Sequence, residues 1–204
     1  MTDVIAQDIK GVRPPKTKLG LTKMQALLEA AERLFVNSGF YDVSVSDICK
    51  EAHTAVGTFY IYFESKTDLY RCLVAQYQKN IKKHLTDSIS GCTTRRDAEQ
   101  EGIKCFVRFC VEEPSVYKII WGSLAVEKEI FENYYISFAK SYANALSAYP
   151  DEVRTEDPMT LAYMLMGITN FVGLRAIFEQ MDSAQIDSMI HTAVMPILEN
   201  GMFR

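Results

Sequence analysis

The chain has little of what most enzymes and extracellular proteins are recognised by. Its 204 residues contain five cysteines, an odd number, with no C-x-x-C pair, which argues against a disulfide framework or a zinc ribbon. Cys49, Cys105 and Cys110 fall within apolar patterns and read as reduced thiols of a core. A redox sensor would need an exposed, acidified thiol instead. The three histidines, His53, His84 and His191, are far apart and none stands at a metal-ligand spacing. G-x-S-x-G, a P-loop, H-E-x-x-H and a dinucleotide fingerprint are all missing, so the chain is read as a non-enzyme without cofactor or metal. The opening MTDVIAQDIK is too polar for a signal peptide. The longest uncharged run, residues 158–174, is slightly short for a membrane span and contains Thr160, Thr169 and Asn170. The expectation is a cytoplasmic protein with no membrane partner.

Charge of one sign is also scarce, since the net value is −4. Its distribution is uneven. Residues 1–85 carry 12 basic and 9 acidic side chains, and residues 86–204 carry 10 and 17. A slightly positive module joined to an acidic body suits a modest phosphate footprint. Strand-like alternation of useful length is missing too, and 48% hydrophobic with 24% charged residues is ordinary for a globular chain.

What is present is helical punctuation. Residues 44–66 read SVSDICKEAHTAVGTFYIYFESK and hold three helix starts. Ser44 with Asp47 forms an S-x-x-D capping box, Thr54 is placed to cap a second short helix, and Ser65 with Asp68 repeats the capping pattern for a third. Val45, Ile48, Cys49 and Ala52 share one helical face. The second helix, residues 55–62, is roughly two turns, or ~12 Å. Two short helices joined by a tight turn make the unit that lays its second helix in the DNA major groove. Phe59 and Tyr62 or Phe63 point back into a small core, leaving Thr54, Ala55, Val56, Thr58, Tyr60 and Ile61 partly outward. Gly57 costs roughly 1 kcal/mol in a helix, and close backbone approach to another surface, such as a phosphate backbone, is its usual reason.

These residues resemble the DNA-binding segment of the tetracycline-repressor (TetR) family over about residues 22–85. The likeness rests on LFVNSGFYDVSV, VSDICKEA, G-T-F-Y at Gly57–Tyr60, Y-F at Tyr62–Phe63 and S-K at Ser65–Lys66. It implies an all-α fold of about nine helices: an N-terminal three-helix DNA-binding domain and a larger helical ligand-binding and dimerisation domain. It also implies that Tyr60 and Lys66 hold phosphates. Three positions depart from the family pattern. His53 stands where glycine is common and must tolerate φ > 0, while Val56 and Ile61 replace polar or basic residues. Apolar side chains contact a thymine methyl and cannot read guanine bidentately, so Ala55, Val56 or Ile61 is expected to meet thymines. The candidate DNA-binding set is Ser44, Thr54, Ala55, Val56, Gly57, Thr58, Tyr60, Ile61 and Lys66.

The chain divides into a basic arm over residues 1–20, a DNA-binding domain over 21–66, and a ligand-binding and dimerisation domain over 67–204. The arm gathers Lys10, Arg13, Lys16 and Lys18 around Pro14 and Pro15, and is either a minor-groove follower or a solvated tail. Residues 22–38 form the first helix, stopped at Gly39, and residues 65–89 form a connecting helix. Further helices span residues 97–113, 114–126, 127–148, 158–181 and 183–202, the last kinked at Pro196. Residues 158–178 are apolar over most of their circumference and must be buried on several sides. By the resemblance, the last two helices pair with their copies in a homodimer. Phe106, Phe109, Cys110, Tyr117, Trp121, Tyr134, Tyr135, Phe138, Met164 and Phe171, with Asn170 and Arg175 as polar groups, are either plain core or the lining of an apolar ligand site. The runs YYISFAKSY and LMGITNFVGLR resemble the C-terminal halves of family members that respond to fatty-acyl compounds. Function reads as a repressor released from operator DNA by a small hydrophobic effector. The alternative is a helix-turn-helix or adaptor protein without small-molecule control.

Overall fold

The computed structural model describes residues 9–203. Helix follows helix: α1 (Lys18–Ser38), α2 (Val45–Glu51), α3 (Val56–Tyr62), α4 (Lys66–Ile89), α5 (Arg95–Glu112), α6 (Ser115–Val126), α7 (Lys128–Ser147), α8 (Pro158–Phe178), α9 (Ser183–Met189), a π-helical turn (Ile190–Val194) and α10 (Met195–Gly201). Because α9, the π turn and α10 run on without a break, the described residues hold nine helical rods, as the sequence led us to expect. Extended pairing among the described residues is confined to two isolated bridges, Val12 with Phe63 and Val153 with Phe203.

The helices group into two compact units. The first comprises the chain up to Lys79 together with Ser115–Tyr134, and the second comprises Asn80–Pro114 and Tyr135–Arg204. This division moves the expected boundary at residue 66. The first turns of α4 and the whole of α6 fall in the same unit as α1–α3, and Tyr70 of α4 donates a buried hydrogen bond to the Ile119 carbonyl of α6 at 2.5 Å. Ser115, at the start of α6, donates to Glu32 of α1 at 3.0 Å, and Tyr77 of α4 joins the same carboxylate.

In the first unit, α1 begins at Lys18 rather than Thr22. The Thr17 hydroxyl accepts from the Gly20 amide at 3.1 Å and so satisfies an amide that helix geometry leaves without a partner. Leu27, Leu28, Ala31 and Phe35 are buried on one face, and the chain leaves at Gly39 with φ 82°. A seven-residue helix has no stability alone. The helix α3 holds because Phe59 is wholly buried and Tyr62 nearly so, each side chain contributing about 1.5–3 kcal/mol of apolar burial. Phe63, at its end, is also wholly buried.

The second unit packs α5 against α8 and α9 around Ile103, Val107, Leu146, Leu165, Ile186, Ile190 and Met195. Arg95 and Glu99 form a buried ion pair one turn apart on α5, and the Tyr142 hydroxyl donates to the same carboxylate. Burial, reinforced by the Glu99 charge, holds the Tyr142 phenol well above its ordinary range. The expected kink at Pro196 takes the form of the π turn over Ile190–Val194. Proline has no N–H and its ring collides with the carbonyl four residues back, so the helix widens ahead of it. The helix α8 is not buried on several sides within the single chain. Met159, Tyr163, Met164, Phe171 and Phe178 are exposed. It is long and apolar enough to cross a membrane by length and composition alone, but it is equally a helix with one covered and one outward face.

Candidate nucleic-acid interface

The pair α2 and α3 is set by its turn. The Ser44 hydroxyl accepts from the Asp47 amide at 3.1 Å while the Asp47 carboxylate accepts from the Ser44 amide at 2.9 Å, which is the expected capping box. The Ser44 hydroxyl, and then its amide, hold the Asp47 carboxyl below its usual value. Four residues link the helices. The Thr54 amide returns to the Cys49 carbonyl at 2.9 Å, and His53 adopts φ 51°, the left-handed conformation its position demanded. Thr54 does not cap α3. The helix starts one residue later, Ala55 occupies the cap position without a side-chain hydrogen bond, and Thr54 is half-buried in the turn.

Above Phe59 and Tyr62, α3 presents Ala55, Val56, Gly57, Tyr60 and Ile61 to solvent. The three large side chains are 43%, 48% and 59% exposed for Val56, Tyr60 and Ile61. A methyl group built on Gly57 would meet nothing within 4 Å, so no neighbour in the chain requires glycine there. Ser44, the cap of α2, is exposed, and Thr58 is half-buried. Of the nine residues expected to reach DNA, six are therefore exposed, and Thr54 and Thr58 are half-buried.

The ninth, Lys66, is the correction. Its ammonium donates to the Phe40 carbonyl at 2.6 Å and the Val43 carbonyl at 2.5 Å, and it lies 4.2 Å from the centre of the Phe40 ring. Desolvation lowers its pKa. The side chain ties the loop between α1 and α2 to the start of α4. It braces the unit rather than reaching outward for phosphate.

The expected arm is only partly an arm. Residues 1–8 lie outside the described residues, but Lys10–Arg13 are docked. The Arg13 amide donates to the Tyr62 carbonyl at 2.8 Å, the Glu64 amide donates to the Gly11 carbonyl at 2.9 Å, and Val12 is buried. Sequence reading missed this because an isolated bridge leaves no periodicity; Gly11 and Val12 beside a basic residue were its only trace.

The ligand candidates divide between the units. Tyr117, Trp121 and Tyr134 belong to the first, and Phe106, Phe109, Cys110, Tyr135, Phe138, Met164, Asn170, Phe171 and Arg175 to the second. Phe109, Cys110 and Tyr134 are buried, while Phe106, Tyr117, Tyr135, Phe138 and Asn170 are half-buried. Met164 and Phe171 do not face the aromatic residues of α5 and α7 from inside. They lie on the outward face of α8, because the inner face is taken by Ala162, Leu165, Thr169, Gly173 and Ala176. Arg175 pairs with Glu179 one turn on at 2.9 Å, and Asn170 donates to the Met166 carbonyl at 2.7 Å, so each has a partner within its own helix. Burial pushes the Cys49 thiol up and the Cys72 thiol up to about 12, the opposite of an activated thiol.

Comparison with known proteins agrees with this geometry. Residues 27–73 match the model of bacterial regulatory proteins of the tetR family. An uncharacterized HTH-type transcriptional regulator of Bacillus subtilis, YvdT, is 39% identical over 77 residues, which cover 38% of this chain and 37% of that protein. The match thus spans well under half the length of that relative. A TetR-family regulator from Syntrophomonas wolfei superposes with a TM-score of 0.75 at 17% identity, over 88% of this chain and 95% of that one. A Clostridium perfringens protein described as a fatty acid metabolism regulator superposes with 0.66 at 20% identity, over 84% and 97%. At such identities the structural likeness is one of fold. The capping box, the left-handed turn at His53 and the short outward helix occupy the stretch that the family model matches, so over residues 27–73, under a quarter of its length, the chain matches the tetR family of bacterial regulatory proteins.

Proposed function

We propose that the chain is a transcriptional regulator that binds operator DNA as a homodimer, with α3 in the major groove. The observation that carries this is the construction of α3: seven residues, anchored by two buried aromatics, whose other side presents a methyl, two branched apolar side chains, a phenol and an open glycine. A core helix would have no use for that outward set. Val56 and Ile61, with Ala55, meet thymine methyls, and Tyr60 donates to a phosphate. Enrichment of random duplexes by the purified protein tests the reading. The expected product is an inverted repeat with centres about one helical turn apart and thymines in each half. Failure to enrich any duplex at moderate salt overturns it.

Dimerisation follows from two observations. A two-turn reader contacts few bases, and two copies double the site with two-fold symmetry. The outward residues Met164, Phe171 and Phe178 recur every seven positions along α8, and Ile197 is exposed on α10. A monomer rarely leaves so continuous an apolar stripe to water. The partner is a second copy, held through the last two helical rods.

Regulation is proposed as relief of repression by a small hydrophobic effector. The support is the aromatic content of α5 and α7 and the likeness of fold to the Clostridium perfringens regulator, whose description points to fatty-acid metabolism. A ligand acts only through unequal affinity for the operator-competent dimer and its alternatives. Mass spectrometry of the purified dimer is expected to find a bound acyl compound, and adding that compound is expected to weaken operator binding. The outward placement of Met164 and Phe171 favours a second reading, a DNA-binding protein without effector control. Operator affinity unchanged by every compound found would establish it.

A further inference from the structure

The segment Lys10–Arg13 is used by neither reading above, and it is hydrogen-bonded to the end of α3. It lies antiparallel to the α3–α4 junction. Arg13 N–H donates to the Tyr62 carbonyl and Glu64 N–H donates to the Gly11 carbonyl, on either side of the Val12–Phe63 bridge. The Arg13 guanidinium then spans the end of α3: one nitrogen donates to the Tyr60 carbonyl at 3.0 Å and another to the Glu64 carboxylate at 2.9 Å. From the other side, Arg71 of α4 donates to the Lys10 carbonyl at 3.0 Å and pairs with Asp68 and Glu127. Gly11 sits against Asp68 with φ 74°, where a Cβ would come within 2.2 Å of the carboxyl carbon. Each end of the strap is therefore bound, and its middle accepts glycine alone.

We propose that Gly11 and Arg13 are positioning residues for DNA recognition: they form a strap that holds the C-terminal end of α3 at the angle at which Val56, Tyr60 and Ile61 reach the duplex. Carbonyls at the end of a helix lack donor partners within it, and the last turn of so short a helix frays unless something satisfies them. Arg13 supplies donors to the carbonyls of Tyr60 and Tyr62, one through its side chain and one through its backbone. The strap acts through α3 and need not touch DNA. Arg13 would differ in this from a groove-following basic arm, which works by charge and adds to the salt dependence of binding. The inference rests on the DNA-binding reading, and the experiment separates the two.

The 204-residue protein is compared with Gly11→Ala, Arg13→Ala, Arg13→Lys and, as a control outside the strap and the basic arm, Lys140→Ala, an exposed residue of α7. Amide hydrogen exchange is read first, without DNA. Gly11→Ala is expected to speed exchange at Glu64 and over residues 60–64, with α1 and α5 unchanged. Unchanged exchange at residues 60–64 overturns the strap whatever happens with DNA. Affinity for the duplex selected by the wild type is then measured at several salt concentrations. Gly11→Ala and Arg13→Ala are expected to weaken binding about tenfold without changing the salt slope, and Lys140→Ala to leave affinity within twofold. Arg13→Lys decides between positioning and charge. It is expected to bind as poorly as Arg13→Ala, because an ammonium cannot make the forked contact to Tyr60 and Glu64. Wild-type affinity in Arg13→Lys, or a slope reduced by about one in Arg13→Ala, assigns Arg13 to phosphate contact and overturns the proposal. A wild type that binds no duplex refutes the DNA-binding reading instead, and is told apart by the exchange result.

Discussion

Gly57 carries two opposed effects. Glycine inside a helix forfeits roughly 1 kcal/mol against alanine, and nothing within 4 Å obstructs a methyl group there. Gly57→Ala is therefore expected to raise stability by about 0.5–1 kcal/mol, read as an upward shift of the denaturant midpoint. The same methyl would stand between α3 and the duplex, so operator affinity is expected to fall at least several-fold. A variant that gained stability and kept its affinity would show that no surface comes close at Gly57. Cys72 offers a second test at this scale. Its folded pKa is about 12 against 9.0 for the unperturbed thiol, the cause being burial. The folded state thus holds the proton more tightly than the unfolded one. The associated stability is complete below pH 9 and is lost as pH rises from about 9 towards 12. At pH 8 a thiol reagent is expected to label Cys92 and Cys105, which are half-buried, and to reach Cys49, Cys72 and Cys110 only on unfolding. The pattern legible in sequence, thiols at apolar positions, was right for Cys49 and Cys110. For Cys105 it was incomplete, because helical periodicity does not say how far a neighbour covers a face.

At the scale of elements, the local signals were the reliable ones. The Ser44–Asp47 box and the Ser65–Asp68 pair formed as expected, since each needs only three residues of helix to close. Ser44→Ala is expected to cost about 1 kcal/mol, and the loss should appear as earlier thermal unfolding of the first unit. Asp47 adds a pH signature. Its depressed pKa means that this contribution is present above the usual carboxylate value of 3.8 and disappears as pH falls through the lower folded value. Thr54 shows the limit of such signals. A threonine before a helical run is a good cap, but the left-handed turn at His53 carried the chain one residue further before α3 began. Lys66 shows a different limit. Its spacing after Ser65 was clear, yet two carbonyls from a loop more than twenty residues away claimed its ammonium. Lys66→Met is expected to destabilise the protein by about 1–3 kcal/mol through those two unsatisfied carbonyls. It should leave the salt slope of DNA binding unchanged; a slope lower by about one would return Lys66 to the phosphate contacts.

For the whole molecule, the proposed dimerisation through the outward stripe of α8 can be tested directly. Met164→Asp or Phe178→Asp places a charge on it and is expected to shift the protein from dimer to monomer in sedimentation, with operator affinity falling more than a hundredfold because two linked half-sites become one. Retention of the dimer by both variants would place the interface elsewhere.

The number and type of helices, the helix-turn-helix and the polarity of the two faces of α3 were settled by the amino-acid sequence alone. These depend on interactions within a few residues: caps, turns, and apolar side chains recurring at 3.6. Tertiary structure decided which helices share a core, so that α6 joined the first unit, and which face of α8 was left exposed. It also decided that a short stretch ahead of α1 is strapped to the end of α3. Each of those outcomes rests on contacts between residues tens of positions apart, such as Tyr70 with Ile119 or Gly11 with Glu64. Periodicity carries no record of such pairs, because it describes how one helix is made and not what it is placed against.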